Sequence, residues 1–200
     1  SGSEKWDILQ WAVTWLSEQG YVFIGMDHFA KPQDELALAL QQGRLQRNFQ
    51  GYSTHADCDL LNISVSSIGK IGASYIQNEK DLQRYYARID AGELPVMRGV
   101  VLNADDLLRR NTIQSLMCQF SVVFAPFEEQ FGMVFKHYFA QEWPDLLLLQ
   151  QQGLLKIDRQ QLTVTPKGRF LIRNIAMVFD RYLRQQQQAA QTEPRYSQTV

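Results

Sequence analysis

Residues 20–30 read Gly20-Tyr-Val-Phe-Ile-Gly-Met-Asp-His-Phe-Ala30, and the prediction of the fold starts here. The β-branched and aromatic residues of Tyr21–Ile24 predict a short strand. Gly20 is placed to end a preceding helix, in which Trp6, Leu9, Val13 and Leu16 recur at helical spacing. The polar residues that follow the strand stand where α/β folds place groups that face a ligand.

Further alternation of helix and strand follows from residue 34 to residue 89. We predict helices over Asp34–Gln42 and Glu79–Ile89, and strands over Leu60–Ile68 and Ala73–Ile76. The second helix is expected to bury its apolar side chains, Leu82, Tyr85, Tyr86 and Ile89. This alternation favours a parallel α/β layer, with two or three strands, too few to close an eight-stranded barrel.

The second half of the chain is predominantly helical. Asp105–Phe120 is predicted to be a helix with acids in its first turn, and the phenylalanines of 127–139 form one wide apolar stripe. A hairpin is predicted over 154–165, and Thr165 with Pro166 starts a last helix. The order of helix, hairpin and helix in 145–183 resembles a winged helix.

The expected organisation is therefore α/β followed by α. Residues 1–3 have the composition of a cloning scar, residues 4–95 form the α/β portion, and residues 96–184 form the helical domain with its hairpin at 154–165. Residues 185–200, which begin with four glutamines, are expected to be a polar, frayed tail.

Composition excludes several classes of protein. The 200 residues are 45% hydrophobic, which is enough for a sizeable core, and no apolar run approaches the roughly 18–20 residues that span a bilayer. Twenty Lys and Arg against 21 Asp and Glu give a net charge of −1, without the basic excess usual in a DNA-binding protein. The two cysteines, Cys58 and Cys118, form no disulfide framework, so a reducing, cytoplasmic location is expected.

Three stretches carry a resemblance to a known family. They are Gly25-Met-Asp-His-Phe-Ala30, Arg47-Asn-Phe-Gln-Gly-Tyr52 and Thr165-Pro-Lys-Gly-Arg-Phe-Leu-Ile-Arg-Asn-Ile175. In these the chain resembles the oxygen-independent coproporphyrinogen III oxidases, radical S-adenosylmethionine enzymes of haem synthesis, from about Trp6 to Leu183. The family's CxxxCxxC cluster motif is absent, so the resemblance is to the C-terminal part: the last strands of a radical-enzyme partial barrel and the helical domain that follows.

The resemblance implies a function for the parent enzyme. It would decarboxylate and oxidise two propionates of coproporphyrinogen III to vinyl groups, with S-adenosylmethionine and a 4Fe-4S cluster as cofactors. Two cysteines cannot supply the cluster's thiolates. The chain alone is therefore expected to be inactive, to need the N-terminal half of the enzyme as its partner, and to self-associate through exposed strand edges.

The resemblance also implies which residues form the sites. Phe49, Gln50 and Ile68 are carried over as residues that bind S-adenosylmethionine: two apolar walls and one amide donor and acceptor. Arg44 and Arg47 flank the same loop and are candidates for the substrate's carboxylates. No residue of this chain is assigned a catalytic role.

Other groups give weaker signals. Asp27-His28 has the composition of an acid–base pair, although a structural histidine is the simpler interpretation. His55 and Cys58, beside Asp57 and Asp59, have a spacing that suits a metal, but two ligands do not make a site and none is predicted. Cys118 is expected to be buried and inert.

Two alternative functions stay open at this point. The first is a winged helix that binds nucleic acid, with Lys167, Arg169 and Arg173 near the start of the last helix. Its hairpin, however, contributes just two cations, Lys156 and Arg159. The second is a protein-interaction module that uses exposed apolar strand edges.

Overall fold

The computed structural model describes residues 2–56 and 58–192. The helices are α1 (Gly2–Glu18), α2 (Glu35–Gln41), α3 (Leu82–Asp90), α4 (Ala104–Gln119), α5 (Phe124–Phe131), α6 (Phe135–Tyr138), α7 (Trp143–Gln151), α8 (Pro166–Arg169), α9 (Ile172–Met177) and α10 (Arg181–Thr192). The strands are β1 (Val22–Gly25), β2 (His28–Ala30), β3 (Gln46–Asn48), β4 (Gly51–Ser53), β5 (Ile68–Ile71), β6 (Ser74–Asn78), β7 (Val96–Val101), β8 (Ser121–Val123), β9 (Leu155–Ile157) and β10 (Gln161–Val164).

Every strand pair in the described part of the chain is antiparallel. Two hairpins, β1–β2 and β3–β4, accompany two three-stranded sheets in the orders β5-β6-β7 and β8-β10-β9. The architecture is mixed α and β, as predicted, but the prediction of a parallel layer is wrong. Short turns such as Met26-Asp27 join the paired strands, whereas a parallel pair needs a crossover of about a dozen residues.

Two of the predicted strands differ from the structure. Strand β1 ends in a hairpin, so Asp27 lies in a turn rather than beyond the end of a parallel strand. Within the predicted strand Leu60–Ile68, Leu60 forms one isolated bridge to Lys70, and regular strand begins at Ile68. Ser64 and Ser66 have φ values of 92° and 62°, which no strand accommodates.

Helix α4 confirms its prediction and begins with a capping box. The Asn103 side chain accepts a hydrogen bond from the Asp106 backbone N–H, and the Asp106 carboxylate accepts one from the Asn103 N–H, both at 3.0 Å. The apolar stripe of 127–139 is not one helix, because Gly132 adopts φ 63° and separates α5 from α6. The hairpin of 154–165 is confirmed, with β8 as an additional strand.

The last predicted helix is also divided. Thr165 caps it as expected, accepting from the Gly168 N–H at 3.0 Å, but three helices, α8 to α10, follow. The first part of the predicted tail belongs to α10, which extends through Thr192. Residues 193–200 and Ser1 lie outside the described residues, and Gly2 and Ser3 of the predicted scar belong to α1.

One hydrophobic core joins both halves of the chain. It takes buried residues from 24–45 and from 108–179, including Cys118, with Phe135, Phe139 and Phe179 at its centre. Residues 46–107 contribute no buried apolar side chain to it. The expected burial of the apolar face of α3 is wrong: Leu82 is 55% exposed, because no described element covers that face.

Among the described residues, no helix combines the length and the apolar character required to traverse a bilayer.

Candidate functional site

The β3–β4 hairpin carries two of the three residues predicted to bind a cofactor, Phe49 and Gln50, whereas Ile68 begins β5. Asn48 pairs with Gly51, so Phe49 and Gln50 form a two-residue turn. The Asn48 carboxamide oxygen accepts a hydrogen bond from the Gln50 backbone N–H at 2.8 Å, a local bond that favours the turn. Gly51 has φ 139°, a conformation that suits glycine. The turn therefore presents Phe49, half exposed, and Gln50, exposed, at its tip.

Helix α4 holds this hairpin in place. The Gln114 side-chain amide donates to Gln46 Oε1 and to the Arg47 carbonyl oxygen, both at 3.0 Å. The Tyr52 hydroxyl donates to the Met117 carbonyl oxygen at 3.1 Å. Gly25 makes room for this tyrosine, because a Cβ there would stand 2.3 Å from the Tyr52 hydroxyl. Burial raises the pKa of Tyr52 to about 12, so it stays a neutral donor.

A cavity of about 810 Å³ lies between the hairpin, α4 and α9. Its volume falls in the usual range of sites for small molecules and cofactors. Both halves of the chain contribute to it, through residues 46–75 and 110–180. Its walls are formed by Gln46, Arg47, Asn48, Phe49, Ser53, His55, Ala56, Cys58, Asp59, Leu60, Lys70, Tyr75, Arg110, Asn111, Ile113, Gln114, Met117, Arg173, Ala176, Met177 and Asp180.

Two arginines in this wall have buried nitrogen atoms without a hydrogen-bond partner among the described residues. They are Arg47, through Nε, and Arg110, through Nη1. The Arg47 guanidinium lies 5.4 Å from the centre of the Tyr52 ring, and that ring cannot satisfy the N–H donor. A buried donor without an acceptor costs on the order of 1–3 kcal/mol, so both atoms are suited to receive an acceptor from a ligand.

A second, smaller cavity of about 340 Å³ lies against the sheet β5-β6-β7. Phe49 and Ile68 both line it, together with Tyr75, Ile76, Gln77, Arg98, Gly99 and Val100. The Phe49 ring meets the Tyr75 ring edge to face, with centroids 5.2 Å apart. Both aromatic residues also line the larger cavity, so they form the wall between the two.

The other predicted residues lie outside these cavities. Gln50 lines neither one, although it adjoins Phe49. Arg44 also lines neither, and its Nε donates to Gln42 Oε1 at 3.0 Å. His28 Nδ1 lies 2.7 Å from Asp27 Oδ1, in the β1–β2 turn, and its ring packs edge-on against Tyr52. The Asp27–His28 pair therefore packs against the β3–β4 hairpin, through the ring of Tyr52.

Metal ligands are sparse in the described part of the chain. His55 and Cys58 both line the larger cavity, and His55 Nδ1 lies 3.3 Å from Ser53 Oγ. Residues 2–56 and 58–192 hold no group of three or more histidine, cysteine or acidic side chains placed to bind a metal ion. Asp57, a neighbour of the predicted pair, lies outside the described residues. Cys118 is buried in α4, and burial raises its pKa to about 12, which opposes the thiolate form that metals bind.

Residues 102–171 match the family model described as the HemN C-terminal domain. The chain is 49% identical over 185 residues to the oxygen-independent coproporphyrinogen III oxidase of Escherichia coli strain K12, and 47% identical over 183 residues to that of Pseudomonas aeruginosa. Each match covers 92% of this chain and 40% of the relative.

A solved structure is similar as well. It is described as "Coproporphyrinogen III oxidase (HemN) from Escherichia coli is a Radical SAM enzyme", and it superposes with a TM-score of 0.87 at 48% identity. The superposition covers 91% of this chain and 42% of that one. The chain thus spans about two fifths of its relatives, and the resemblance to their C-terminal part is confirmed. The nucleic-acid alternative gains no support from these relatives.

Proposed function

We propose that this chain acts as the C-terminal part of an oxygen-independent coproporphyrinogen III oxidase, which converts two propionates of its substrate to vinyl groups and yields protoporphyrinogen IX. The observation that carries the proposal is 47–49% identity to enzymes of that name over 92% of the chain. An N-terminal portion of the same enzyme is the partner that this function requires.

The described residues do not suit a 4Fe-4S cluster. Cys58 is exposed and Cys118 is buried, and no third thiol exists in the chain. The remainder of the enzyme would therefore hold the cluster. When bound there, the cluster and S-adenosylmethionine supply the radical that removes a hydrogen atom from a propionate.

The residues around the smaller cavity do suit part of S-adenosylmethionine. We assign Phe49 and Ile68 as apolar walls for it, since the two side chains share that cavity with Tyr75. Gln50, exposed at the same turn, would offer its amide as donor and acceptor. The tight β3–β4 turn fixes the distance between Phe49 and Gln50, which favours precise placement of a bound group.

The larger cavity suits the substrate. Arg47 lines it, and the buried Nε of this arginine is free to donate to a carboxylate. Arg44 lies outside the cavity and already donates to Gln42. We therefore assign Arg47, rather than Arg44, as the arginine that binds one of the substrate's carboxylates.

The finer description of the fold is part of the same proposal. Residues 4–95 would be the last portion of a partial barrel, and residues 96–184 would be the helical domain. Strand β7, which begins just after this boundary, still pairs with β6, which lies before it. The hairpin of 154–165 with the adjoining helices would be a winged-helix-like unit used for packing.

Exposed apolar side chains, such as those of Trp11 and Val101, favour self-association of the isolated chain. Two free cysteines favour a reducing cytoplasm.

A hybrid enzyme tests the proposed function. This chain would replace the matching C-terminal part of the Escherichia coli relative, and anaerobic turnover of coproporphyrinogen III would be measured. We expect protoporphyrinogen IX to form. A hybrid that folds, carries its cluster and forms none contradicts the proposal.

Two substitutions in the hybrid test the cofactor wall. Phe49→Ala and Gln50→Ala should each lower turnover, by up to about a hundredfold, because radical transfer is sensitive to small misplacements. Tyr86→Ala is the matched control, since Tyr86 is an exposed aromatic residue of α3 that lines neither cavity. Iron content and melting temperature check the cluster and the fold. Unchanged turnover in both variants would contradict the assignment of Phe49 and Gln50 as residues that bind S-adenosylmethionine.

A further inference from the structure

The larger cavity is lined by more positive than negative side chains. Arg47, Lys70, Arg110 and Arg173 face two acids, Asp59 and Asp180. This excess is local, because the whole chain has a net charge of −1. A concave wall of one sign concentrates ligands of the opposite sign.

The two acidic side chains of the wall accept hydrogen bonds from backbone N–H groups. Asp59 Oδ1 accepts from the Gly72 N–H at 2.8 Å. Asp180 Oδ1 accepts from the N–H groups of Tyr182 and Leu183, both at 3.0 Å, at the start of α10. Within 2–56 and 58–192, neither acid forms an ion pair with a cation of the cavity.

Arg110 differs in this respect from the arginine beside it. Arg109 is bound by Asp105 and Glu142, whereas Arg110, one residue further along α4, has no acid partner among the described residues. Its Nη1 atom is buried at the cavity wall without an acceptor. The hairpin, which packs on α4, contributes the unpartnered Nε of Arg47 to the same cavity wall.

We propose that Arg110, acting with Arg47, anchors a carboxylate of a tetrapyrrole polycarboxylate in this cavity, and that Arg110 thereby selects substrates that keep a propionate at that position. This inference rests on the proposed function and adds a specificity residue to it. The guanidinium fork matches a carboxylate with two parallel hydrogen bonds. Because the reaction consumes two of four carboxylates, two propionates stay intact throughout and are available as fixed anchors.

Equilibrium binding to the 200-residue chain tests the anchor without any radical chemistry. The probe is coproporphyrin III, the stable oxidised tetracarboxylate. Its binding is measured by the quenching of tryptophan fluorescence. Its tetramethyl ester, which has the same ring and no charge, measures adventitious apolar binding. We expect the wild-type chain to bind the acid at least about tenfold more tightly than the ester, as charge-assisted hydrogen bonds predict.

Three variants complete the test. Arg110→Gln should weaken binding of the acid about tenfold or more and leave binding of the ester unchanged. Arg110→Lys should lose less affinity for the acid than Arg110→Gln, because lysine keeps the positive charge but not the forked guanidinium group. Arg159→Gln, in the turn between β9 and β10 and outside both cavities, is the matched control and should bind like wild type.

Several outcomes would overturn the anchor. They are equal affinity for acid and ester, wild-type affinity in Arg110→Gln, or an equal loss in Arg159→Gln. If Arg110→Gln does not fold, Arg47→Gln takes its place, and unchanged affinity for the acid in that variant overturns the proposal. The hybrid's turnover is a separate measurement, so an inactive hybrid with intact, Arg110-dependent binding counts against the proposed function alone.

Discussion

Arg109 Nη1 donates a hydrogen bond to Glu142 Oε1 at 2.7 Å, and the Glu142 side chain is only 2% exposed. The pair joins α4 to the residue that precedes α7. Burial opposes the charge on Arg109, but the hydrogen bond and charge of Glu142, reinforced by Asp105, raise the pKa of Arg109 above its ordinary value. Breaking this buried pair should therefore destabilise the fold.

Replacing Arg109 with Met should destabilise the chain by about 3–5 kcal/mol, because it leaves the buried carboxylate of Glu142 without its cation. Urea unfolding measures the change. The double variant, Arg109→Met with Glu142→Met, should recover part of the loss. Glu93→Gln breaks the exposed Arg88–Glu93 pair and should cost less than about 1 kcal/mol. Equal losses for the buried and exposed pairs would contradict the prediction.

Asp105 should make folding stability depend on pH in acid. Burial acts to raise the pKa of Asp105, but hydrogen bonds from Tyr138 and Arg109 outweigh it and lower that pKa below the ordinary value. A carboxyl group whose folded pKa is below its unfolded value, about 3.9, stabilises the fold above that value and loses the contribution as pH falls through the folded pKa.

The corresponding experiment compares wild type with Asp105→Asn. Unfolding free energies at pH 7 and at about pH 3 should differ less in the variant, because the titrating carboxylate is gone. Far-ultraviolet circular dichroism at pH 7 checks that the variant is folded. An identical pH dependence in both proteins would show that Asp105 contributes nothing to it.

The two cysteines should differ sharply in reactivity. Cys58 is exposed, whereas burial holds Cys118 in α4 with a pKa raised to about 12. Dithionitrobenzoate at pH 8 should therefore modify one thiol per folded chain, and the second after unfolding in urea. Cys58→Ser should abolish the fast reaction. Two thiols of equal rate in the folded protein would be incompatible with the buried position of Cys118.

Gly168 should not accept a side chain. A Cβ at Gly168 would lie 1.9 Å from the Leu154 carbonyl oxygen, a backbone atom that cannot move away cheaply. Gly168→Ala should cost about 3 kcal/mol in unfolding free energy, at the upper end of overpacking. Gly132→Ala is the control, because that glycine has φ 63° in open space, and should cost about 1 kcal/mol from its backbone conformation alone. The reverse order would refute the packing argument.

The isolated chain should self-associate. Val101, on the edge strand β7, is 80% exposed, and Trp11 and Trp15 stack on the surface of α1. Exposed strand edges and apolar patches favour pairing between chains. Light scattering should detect a dimer or larger species, which Val101→Lys or Trp11→Glu should diminish. A monomer at high concentration would contradict this expectation.

Local patterns in the sequence predicted the parts of the fold that depend on neighbouring residues. Helix α4 was predictable because its capping acids and its apolar spacing lie within one segment. The hairpin of 154–165 was predictable because Asp158 and its neighbours form the turn between two β-rich runs; Asp158 Oδ1 accepts from the N–H groups of Gln160 and Gln161. Both features are independent of distant contacts.

Strand direction and the cavity depended on distant contacts. The run Tyr21–Ile24 is compatible with a parallel or an antiparallel partner, and the backbone turn at Met26, with φ 56°, decides for the antiparallel one. Arg110 and Gln114 stand on α4 among polar residues typical of a solvated face. Their place in the cavity depends on a hairpin more than fifty residues earlier, so no local signal identifies them.

The described residues of 46–107 lie outside the buried hydrophobic core, so this part of the chain should open more readily than the rest. Asn78 and Glu79 are buried there instead, and the Asn78 amide donates to the carbonyl oxygens of Asn62 and Ser64. Hydrogen bonds without a supporting apolar core give low protection against local unfolding. We therefore expect amide protons of the sheet β5-β6-β7 to exchange with solvent through partial openings, and those around Phe135 and Phe179 to exchange only on global unfolding. The β3–β4 hairpin contacts both regions, since Gln46 and Arg47 accept hydrogen bonds from Gln114 of α4 and Phe49 packs against Tyr75 of β6.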